Sequence, residues 1–401
     1  MAIATGALEN PVKRKFPDAS YGYRWWAGNT ESDDMRYWRN RPVTLLAALC
    51  LSLLSLPALA GPYVLLDVGS GRVLAHENAF QRWYPASLTK LMTAYVIFRE
   101  LQSGRIQPNS PVRISQNAAN EPPSKMGYPV GSVLTLDNAL KIIMVISAND
   151  IATATAESVA GSESAFVARM NAEAQRLGMV DTHFINAHGL PGPAQFTTAR
   201  DLAILVHALR VEFPQYAGYF SIEAVRNGKS VKENTNFLIG RFDGADGMKT
   251  GYICSSGFNL VATATRGRRT LAAIVLGAHS QVQRAEIAAD LLTRGFKAPG
   301  LGGPNIANLK RYGAATEAVA DIRPEICSQE AVAQRMKERD DQGRLILTSP
   351  HVHPLTREPQ VVAVGLGGAM GEEPAKPRYA NVPIPTPRPA YSPPVAVEQG
   401  G

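Results

Sequence analysis

Hydrophobic residues form two pairs of short runs along the chain, and each pair has the length and spacing of a β-hairpin. The first pair covers residues 63–67 and 72–75, with a Gly-Ser-Gly turn between them. The second pair covers residues 257–264 and 269–277, again with a glycine turn. Apolar runs bounded by glycine turns are typical of paired strands. The pattern therefore predicts strands at both ends of a central region.

The sequence between the two hairpins has the spacing of helices. An almost continuous apolar run over residues 87–101 predicts a helix that is hydrophobic on most sides and therefore buried. Further helices are predicted over residues 136–146, 151–160 and 165–178, from the capping residue Thr198 onward, and over residues 283–296. Strands that enclose a helical middle favour an α/β (α+β) fold, with an antiparallel sheet flanked by helices and a helical subdomain.

Composition and charge narrow the class of protein only moderately. A hydrophobic content of 45% excludes a wholly disordered chain, and 19% charged residues suit a globular enzyme. The net charge is +7, but no segment has five like charges in a row, and basic residues do not alternate with aromatic ones. A nucleic-acid partner is therefore not expected.

The N-terminal region has the order of an export signal. A positive stretch, Met35–Arg41, precedes the apolar run Val43–Leu56, and small residues flank a cleavage position after Ala60. This order is typical of a secretory signal peptide over residues 35–60, although an uncleaved membrane anchor stays open. Because signal peptides normally begin at the chain terminus, we expect residues 1–34 to be a spurious extension. The mature protein is then exported, to the periplasm or the cell envelope.

The C-terminal part of the chain is rich in proline. Ten of the 28 prolines fall in the last 51 residues. We expect residues 61–297 to form the folded domain, and residues 298–401 to form a disordered tail without a clear membrane anchor. Within that tail, only residues 331–339 and 345–348 have the composition for local structure.

Cysteine and histidine residues offer little further chemistry. Three cysteines are too few for a disulfide framework or a four-thiolate zinc site. Cys50 leaves with the signal peptide, and a bond between Cys254 and Cys327 would join the domain to a loose tail, so we expect both thiols to be unpaired. His183 and His188 have no carboxylate at ligand spacing. No metal and no cofactor is therefore expected.

Three short motifs supply hydroxyl, amine and amide groups in a fixed order. Ser87 and Lys90 form S-x-x-K, whose spacing places both groups on one face of the buried helix. A serine needs a base to take its proton, and burial lowers the pKa of a lysine until a neutral amine becomes available. Ser147 and Asn149 form S-x-N between two predicted helices. Lys249-Thr250-Gly251 is predicted to be the edge strand, presenting a cation and a hydroxyl beside a glycine that permits close approach.

The ordered set S-x-x-K, S-x-N and K-T-G matches that of penicillin-binding proteins and serine β-lactamases. Over about residues 61–297, the chain resembles the low-molecular-mass penicillin-binding proteins that are serine D-alanyl-D-alanine carboxypeptidases, peptidase family S11. The resemblance is carried by residues 85–95, 122–127, 147–150, 169–172, 184–190 and 246–252. It implies a β-lactamase/transpeptidase-like fold and a substrate taken from peptidoglycan stem peptides.

The same resemblance implies a role for each motif residue. Ser87 would attack the carbonyl between the last two D-alanines, with Lys90 as the general base and Ser147 passing the proton to the departing D-alanine. The substrate-binding residues would be Asn149, Lys249, Thr250, Gly251 and Tyr252. The backbone amides of Ser87 and Tyr252 would hold the oxyanion. β-Lactams would act as covalent inhibitors, because their ring mimics the same dipeptide.

Two departures from the family pattern stand beside these matches. Thr235 occupies a position where some relatives carry a basic residue that helps to bind the carboxylate, which leaves more of that task to Lys249 and Thr250. The second, β-rich domain of the family is not apparent either.

Three alternatives to the carboxypeptidase remain. A D,D-endopeptidase of peptidoglycan cross-links uses the same residues and is poorly separated by sequence. A β-lactamase needs a carboxylate for its deacylating water, and no E-x-x-L-N pentapeptide lies between Ser147 and Lys249. A non-catalytic murein-binding relative would be expected to lose Ser87 or Lys90, and both are present.

Overall fold

A computed structural model describes residues 61–298, 302–313 and 317–370 of the chain. Its strands are β1 Tyr63–Asp67, β2 Arg72–Glu77, β3 Pro111–Arg113, β4 Val133–Thr135, β5 Ala224–Asn227, β6 Ser230–Glu233, β7 Ala245–Ile253, β8 Gly257–Arg266, β9 Arg269–Ala278 and β10 Val361–Ala363. Its α-helices are α1 Thr89–Gln102, α2 Gln116–Asn120, α3 Leu136–Val145, α4 Asn149–Ala160, α5 Glu163–Leu177, α6 Ala199–Glu212, α7 Gln281–Lys297, α8 Arg323–Cys327 and α9 Gln329–Met336. Short 3₁₀ turns cover Ala86–Leu88, Pro214–Phe220 and Ile306–Asn308.

The main sheet has five antiparallel strands in the order β2-β1-β9-β8-β7. Strand β8 is buried on both faces, because its side chains alternate between two cores. Leu260 and Ala262 pack with Ala285, Ala288 and Leu292 of α7, whereas Val261, between them, belongs to the core on the other face. Both predicted hairpins are confirmed, and so is the predicted closing helix. The order also places β7, which carries the K-T-G motif, at the sheet edge as predicted.

Helix α1 is the central element of the helical half. Every residue from Thr89 to Phe98 is buried, because the helix contacts α3, α4, α5 and α6. This confirms the prediction from the continuous apolar run. The predicted N-cap is also confirmed, since Thr198 Oγ1 accepts a hydrogen bond of 3.1 Å from the backbone N–H of Asp201.

The prediction of a disordered tail from residue 298 onward was wrong for the part that the structure describes. Strand β10 pairs in parallel with β5, and Ile306, Ile326, Val352 and Val364 are all buried. Cys254 and Cys327, expected to be unpaired, form a disulfide. These buried residues are isolated in the sequence, so this part of the fold has no periodic apolar run from which it could be predicted. The tail therefore joins the rest of the fold through isolated apolar anchors, one added strand and one covalent link.

Several of the sequence predictions lie outside the described residues. These are the extension 1–34, the signal peptide 35–60 and the proline-rich end from residue 371. Within the described ranges, no helix combines the length and hydropathy needed to cross a bilayer.

Candidate active site

The serine of the S-x-x-K motif lies in a short turn at the start of a buried helix. Ser87 is in the 3₁₀ turn that leads into α1, directly after Ala86, whose φ is +47°. A left-handed φ is costly for a residue with a Cβ, on the order of 1–2 kcal/mol, and persists only where the surroundings enforce it. The turn therefore holds the serine in a fixed position at the start of the helix.

The buried amine of Lys90 contacts three oxygen atoms. Its Nζ lies 3.2 Å from Ser87 Oγ, 2.7 Å from Asn149 Oδ1 and 2.7 Å from the backbone oxygen of His188. Burial, and secondarily the charge of Lys249, holds the pKa of Lys90 well below its usual value. A neutral amine has two N–H donors and one lone pair. Asn149 Oδ1 and the His188 carbonyl are acceptors, so in the neutral amine the lone pair would face the Ser87 hydroxyl and could take its proton.

The S-x-N motif contributes a free hydroxyl and an anchored amide. Asn149 begins α4, and its Nδ2 donates to the backbone oxygen of Pro122 at 2.9 Å. Ser147 adopts a φ of +64°, and its buried Oγ has no hydrogen-bond partner among the described residues. A buried hydroxyl without a partner costs about 1–3 kcal/mol. Because Ser147 lines the same cleft as Ser87, this group is available to a substrate.

Gly251 lets the edge strand approach the nucleophile. A Cβ at this position would lie 3.0 Å from both the Ser87 nitrogen and the Pro85 oxygen, and 3.2 Å from Ala86 Cβ. Only a residue without a side chain permits this backbone-to-backbone contact. The strand therefore presents its next residue, Tyr252, beside the serine turn.

The two residues before Gly251 differ in how they meet the cleft. Thr250 lines the cleft, and its Oγ1 lies 2.6 Å from Oγ1 of Thr235. Lys249 is 1% exposed and lies beneath the surface, where its Nζ donates to the backbone oxygen of Thr250 at 2.9 Å. Burial, with a smaller contribution from Arg284, lowers the pKa of Lys249 to about 7. The Thr235 and Thr250 hydroxyls thus lie at the wall of the cleft, and the Lys249 amine lies beneath them.

Arg284 is a cation of the site that the sequence interpretation missed. It lies almost fully buried on α7 at the lining of the cleft, where its guanidinium donates to the backbone oxygens of Asn259 at 3.3 Å and Thr235 at 3.2 Å. Burial lowers its pKa to about 9, so the group stays charged at neutral pH. The signal in the sequence is an arginine on the apolar face of an amphipathic helix. It supplies positive charge beside Thr235, where the expected basic residue is absent.

A second cluster fixes the backbone behind Lys90. His188 Nε2 lies 3.3 Å from Glu121 Oε1 and 3.7 Å from Glu163 Oε1, which the sequence spacing did not predict. The oxygen and nitrogen atoms of this cluster, which could in principle hold a metal ion, already accept hydrogen bonds from the protein. Thr153 donates to Glu121, the backbone N–H of Ala187 donates to Glu163, and that of Leu190 donates to His188 Nδ1. The network holds residue 188 in place, and the carbonyl of that residue accepts from Lys90.

The predicted site residues come together around one cleft of about 570 Å³. Its lining includes Ser87, Ser147, Asn149, Thr250, Gly251 and Tyr252, whereas Lys90 and Lys249 lie beneath it. The cleft therefore brings the Ser87 hydroxyl, backed by a buried lysine amine whose pKa is lowered, against the edge strand β7.

Comparison with known proteins gives the family. Residues 55–280 match peptidase family S11, the D-alanyl-D-alanine carboxypeptidases, and the chain belongs to this family. It is 38% identical over 243 residues to D-alanyl-D-alanine carboxypeptidase DacD of Salmonella typhimurium, covering 59% of this chain and 62% of that protein. It is 37% identical over 245 residues to D-alanyl-D-alanine carboxypeptidase DacC of Escherichia coli, covering 59% of this chain and 61% of that protein. The chain thus spans about three fifths of the length of these relatives.

Solved structures share the fold. Penicillin binding protein 5 from Haemophilus influenzae superimposes with a TM-score of 0.58 at 34% identity, covering 60% of this chain and 71% of that one. Penicillin-binding protein D2 from Listeria monocytogenes, in its ampicillin-bound form, gives a TM-score of 0.52 at 28% identity, covering 59% and 97%. The penicillin-binding, transpeptidase-like fold expected from the motifs is therefore confirmed.

Proposed function

We propose that this protein is a serine D-alanyl-D-alanine carboxypeptidase that removes the terminal D-alanine from peptidoglycan stem peptides. The observation that carries the proposal is the buried Lys90 amine, which lies 3.2 Å from Ser87 Oγ and whose other two contacts are oxygen acceptors. Family membership supports the same reaction.

Acylation transfers one proton and exchanges one bond. Lys90 takes the hydroxyl proton as Ser87 Oγ bonds to the carbonyl carbon of the penultimate D-alanine, and the backbone amides of Ser87 and Tyr252 stabilise the oxyanion. The carbon–nitrogen bond then breaks, and Ser147 relays the proton from Lys90 to the departing amine. Water afterwards hydrolyses the ester, which frees Ser87 and the shortened peptide.

Recognition of the substrate rests on its carboxylate. The hydroxyls of Thr235 and Thr250 would donate to it, while Lys249 and Arg284 supply positive charge from beneath. Asn149 would hold the peptide amide. A β-lactam carries an equivalent carboxylate beside its reactive carbonyl, so we expect it to acylate Ser87. The ampicillin-bound relative is consistent with this expectation.

Export to the periplasm or cell envelope is part of the proposal. The signal over residues 35–60 supports it. The disulfide between Cys254 and Cys327 supports it independently, because structural disulfides persist mainly in oxidising compartments.

The test uses N-acetylated pentapeptide ending in D-Ala-D-Ala and a fluorescent penicillin. The full chain is expected to release D-alanine and to become labelled, whereas Ser87→Ala does neither. The matched control is Ser230→Ala, since Ser230 is an exposed serine on β6 that does not line the cleft. Wild-type protein that neither releases D-alanine nor becomes labelled would refute the proposal. D-alanine release that persists in Ser87→Ala would refute the nucleophile.

A further inference from the structure

One wall of the cleft comes from a part of the chain that the family match does not reach. The match ends at residue 280, yet Val332, Arg335 and Met336 of α9 line the cleft. Arg339 and Leu345, which follow this helix, line it as well. The wall is therefore a feature of this chain beyond the shared catalytic domain.

Several contacts hold this wall in a defined position. Ile326, at the end of α8, is fully buried against Phe258 and Ala278, and the next residue forms the disulfide with Cys254. Arg335 donates to the backbone oxygen of Ile326 at 2.7 Å. Further along, Arg339 reaches back to Gln281 Oε1 at 3.2 Å. The segment is thus fixed to the catalytic domain at both ends of α9.

The direction of β7 decides which part of a substrate meets this wall. Thr250 marks the carboxylate end of the site, Gly251 lies against the Ser87 turn, and the disulfide begins at Cys254. A strand advances about 3.3 Å per residue, so the disulfide lies about 13 Å along the strand from Thr250. A peptide whose carboxylate is at Thr250 and whose scissile bond is at Ser87 therefore extends toward the disulfide with its acyl portion.

We propose that α9 and the turn after it form the binding site for the residues that precede D-Ala-D-Ala in the substrate. This inference rests on the proposed carboxypeptidase function and specifies its acyl-side contacts. Val332 and Met336 are 46% and 63% exposed, and they offer an apolar surface to an aliphatic side chain. Arg335, Glu338 and Arg339 stand beside them, so the wall carries a net positive charge for a carboxylate of the stem peptide. The wall therefore favours long peptide substrates over short ones.

The test compares two substrates in matched variants of the full chain. The substrates are N-acetyl-D-Ala-D-Ala, which ends before the wall, and the pentapeptide L-Ala-γ-D-Glu-L-Lys-D-Ala-D-Ala, which reaches it. The variant Val332→Ala with Met336→Ala removes the apolar surface. Its control, Gln334→Ala with Lys337→Ala, truncates two exposed residues nearby that do not line the cleft.

We expect the ratio of kcat/KM for the pentapeptide to kcat/KM for the dipeptide to fall about fivefold to tenfold in the first variant. The control keeps the wild-type ratio. A first variant with the wild-type ratio would overturn the inference while leaving the carboxypeptidase in place. Wild-type protein that releases D-alanine from neither substrate would instead overturn the proposed function, and with it this inference. A folding defect lowers both rates together, so the ratio separates it from loss of the wall.

Discussion

Lys90 and Lys249 illustrate how burial gives two residues of the same type different tasks. Both ammonium groups are removed from water, and the pKa of each falls below its usual value. Lys90 faces only acceptors and the Ser87 hydroxyl, so its neutral form is the useful one. Lys249 donates to the backbone carbonyl of Thr250 beneath the hydroxyls of Thr235 and Thr250, where its charged form would serve the proposed binding of a carboxylate. The partners, rather than the residue type, decide which protonation state the site uses.

The charge of Lys249 makes carboxylate binding dependent on pH. Its pKa of about 7 means that the group is cationic below neutrality and loses its proton as the pH rises. We expect the Kd for N-acetyl-D-Ala-D-Ala to increase about tenfold between pH 6 and pH 8, a range in which Arg284 stays charged, through the loss of roughly one charge-assisted contact. Calorimetry on Ser87→Ala, which binds without turnover, measures this Kd directly. In Lys249→Arg the guanidinium remains charged, so the dependence should flatten, and a flat wild-type profile would contradict the assignment.

Replacement of Gly251 tests the close approach of β7 to the nucleophile. In Gly251→Ala the new Cβ would lie 3.0 Å from the Ser87 nitrogen, so the strand or the turn must shift. The neighbours must move by a few tenths of an ångström, whereas a displacement of about 1 Å at a reacting centre can reduce the rate about 100-fold, so we expect kcat/KM to fall about tenfold. The control is Gly218→Ala, because a Cβ at Gly218 meets no atom within 4 Å. Equal activity of the two variants would show that the contact at Gly251 is unimportant.

Among the secondary-structure elements, the sequence predicted those with a regular pattern of apolar residues. The apolar run of α1 and the two hairpins of the main sheet follow from local patterns, and the K-T-G strand follows from its motif. Arg284 was not predicted, because its function depends on α7 packing across the sheet so that one side chain reaches two backbone carbonyls. Such a contact joins elements far apart in the chain, so it cannot be predicted from the local hydrophobic pattern.

The disulfide was missed for a related reason. Two cysteines 73 residues apart can pair only if the segment that carries the second one is ordered, and that order depends on single anchors such as Ile326. The proline-rich composition predicted a disordered segment, whereas the buried side chains hold its described part in place. The same anchors bring α9 to the cleft, so the misjudged segment is also the one that supplies a wall of the cleft.

Removal of the disulfide should loosen α8 and α9 before the sheet. In Cys254→Ser with Cys327→Ser, we expect faster cleavage by a nonspecific protease within residues 321–346 and a loss of stability of about 2–4 kcal/mol. Mass spectrometry of the fragments locates the cuts, and wild-type protein treated with a reductant provides the matched comparison. Cleavage at the oxidised wild-type rate would mean that noncovalent contacts alone hold the segment.

For the whole molecule, the described residues after 298 belong to the same compact unit as the catalytic domain. Tyr312 illustrates the connection, since its hydroxyl accepts from the backbone N–H of Ala79 at 3.0 Å and its ring meets Phe80 edge-on at 5.7 Å. Strand β10 in turn extends the small sheet of β5 and β6. The boundary predicted at residue 297 therefore cuts through contacts that stabilise the enzyme.

Truncation measures what those contacts contribute. A chain that ends at Lys297 loses the buried side chains of Ile306, Ile326, Val352 and Val364 together with the disulfide. Each buried aliphatic side chain contributes about 1.5–3 kcal/mol, and the entropy of ordering the segment offsets much of this. We expect the net free energy of unfolding to fall by about 2–4 kcal/mol, measured by urea denaturation. A chain that ends at Met370 keeps all of these contacts and serves as the control. If both truncations unfold at the same urea concentration, the catalytic domain is stable by itself and residues 302–370 serve the cleft alone.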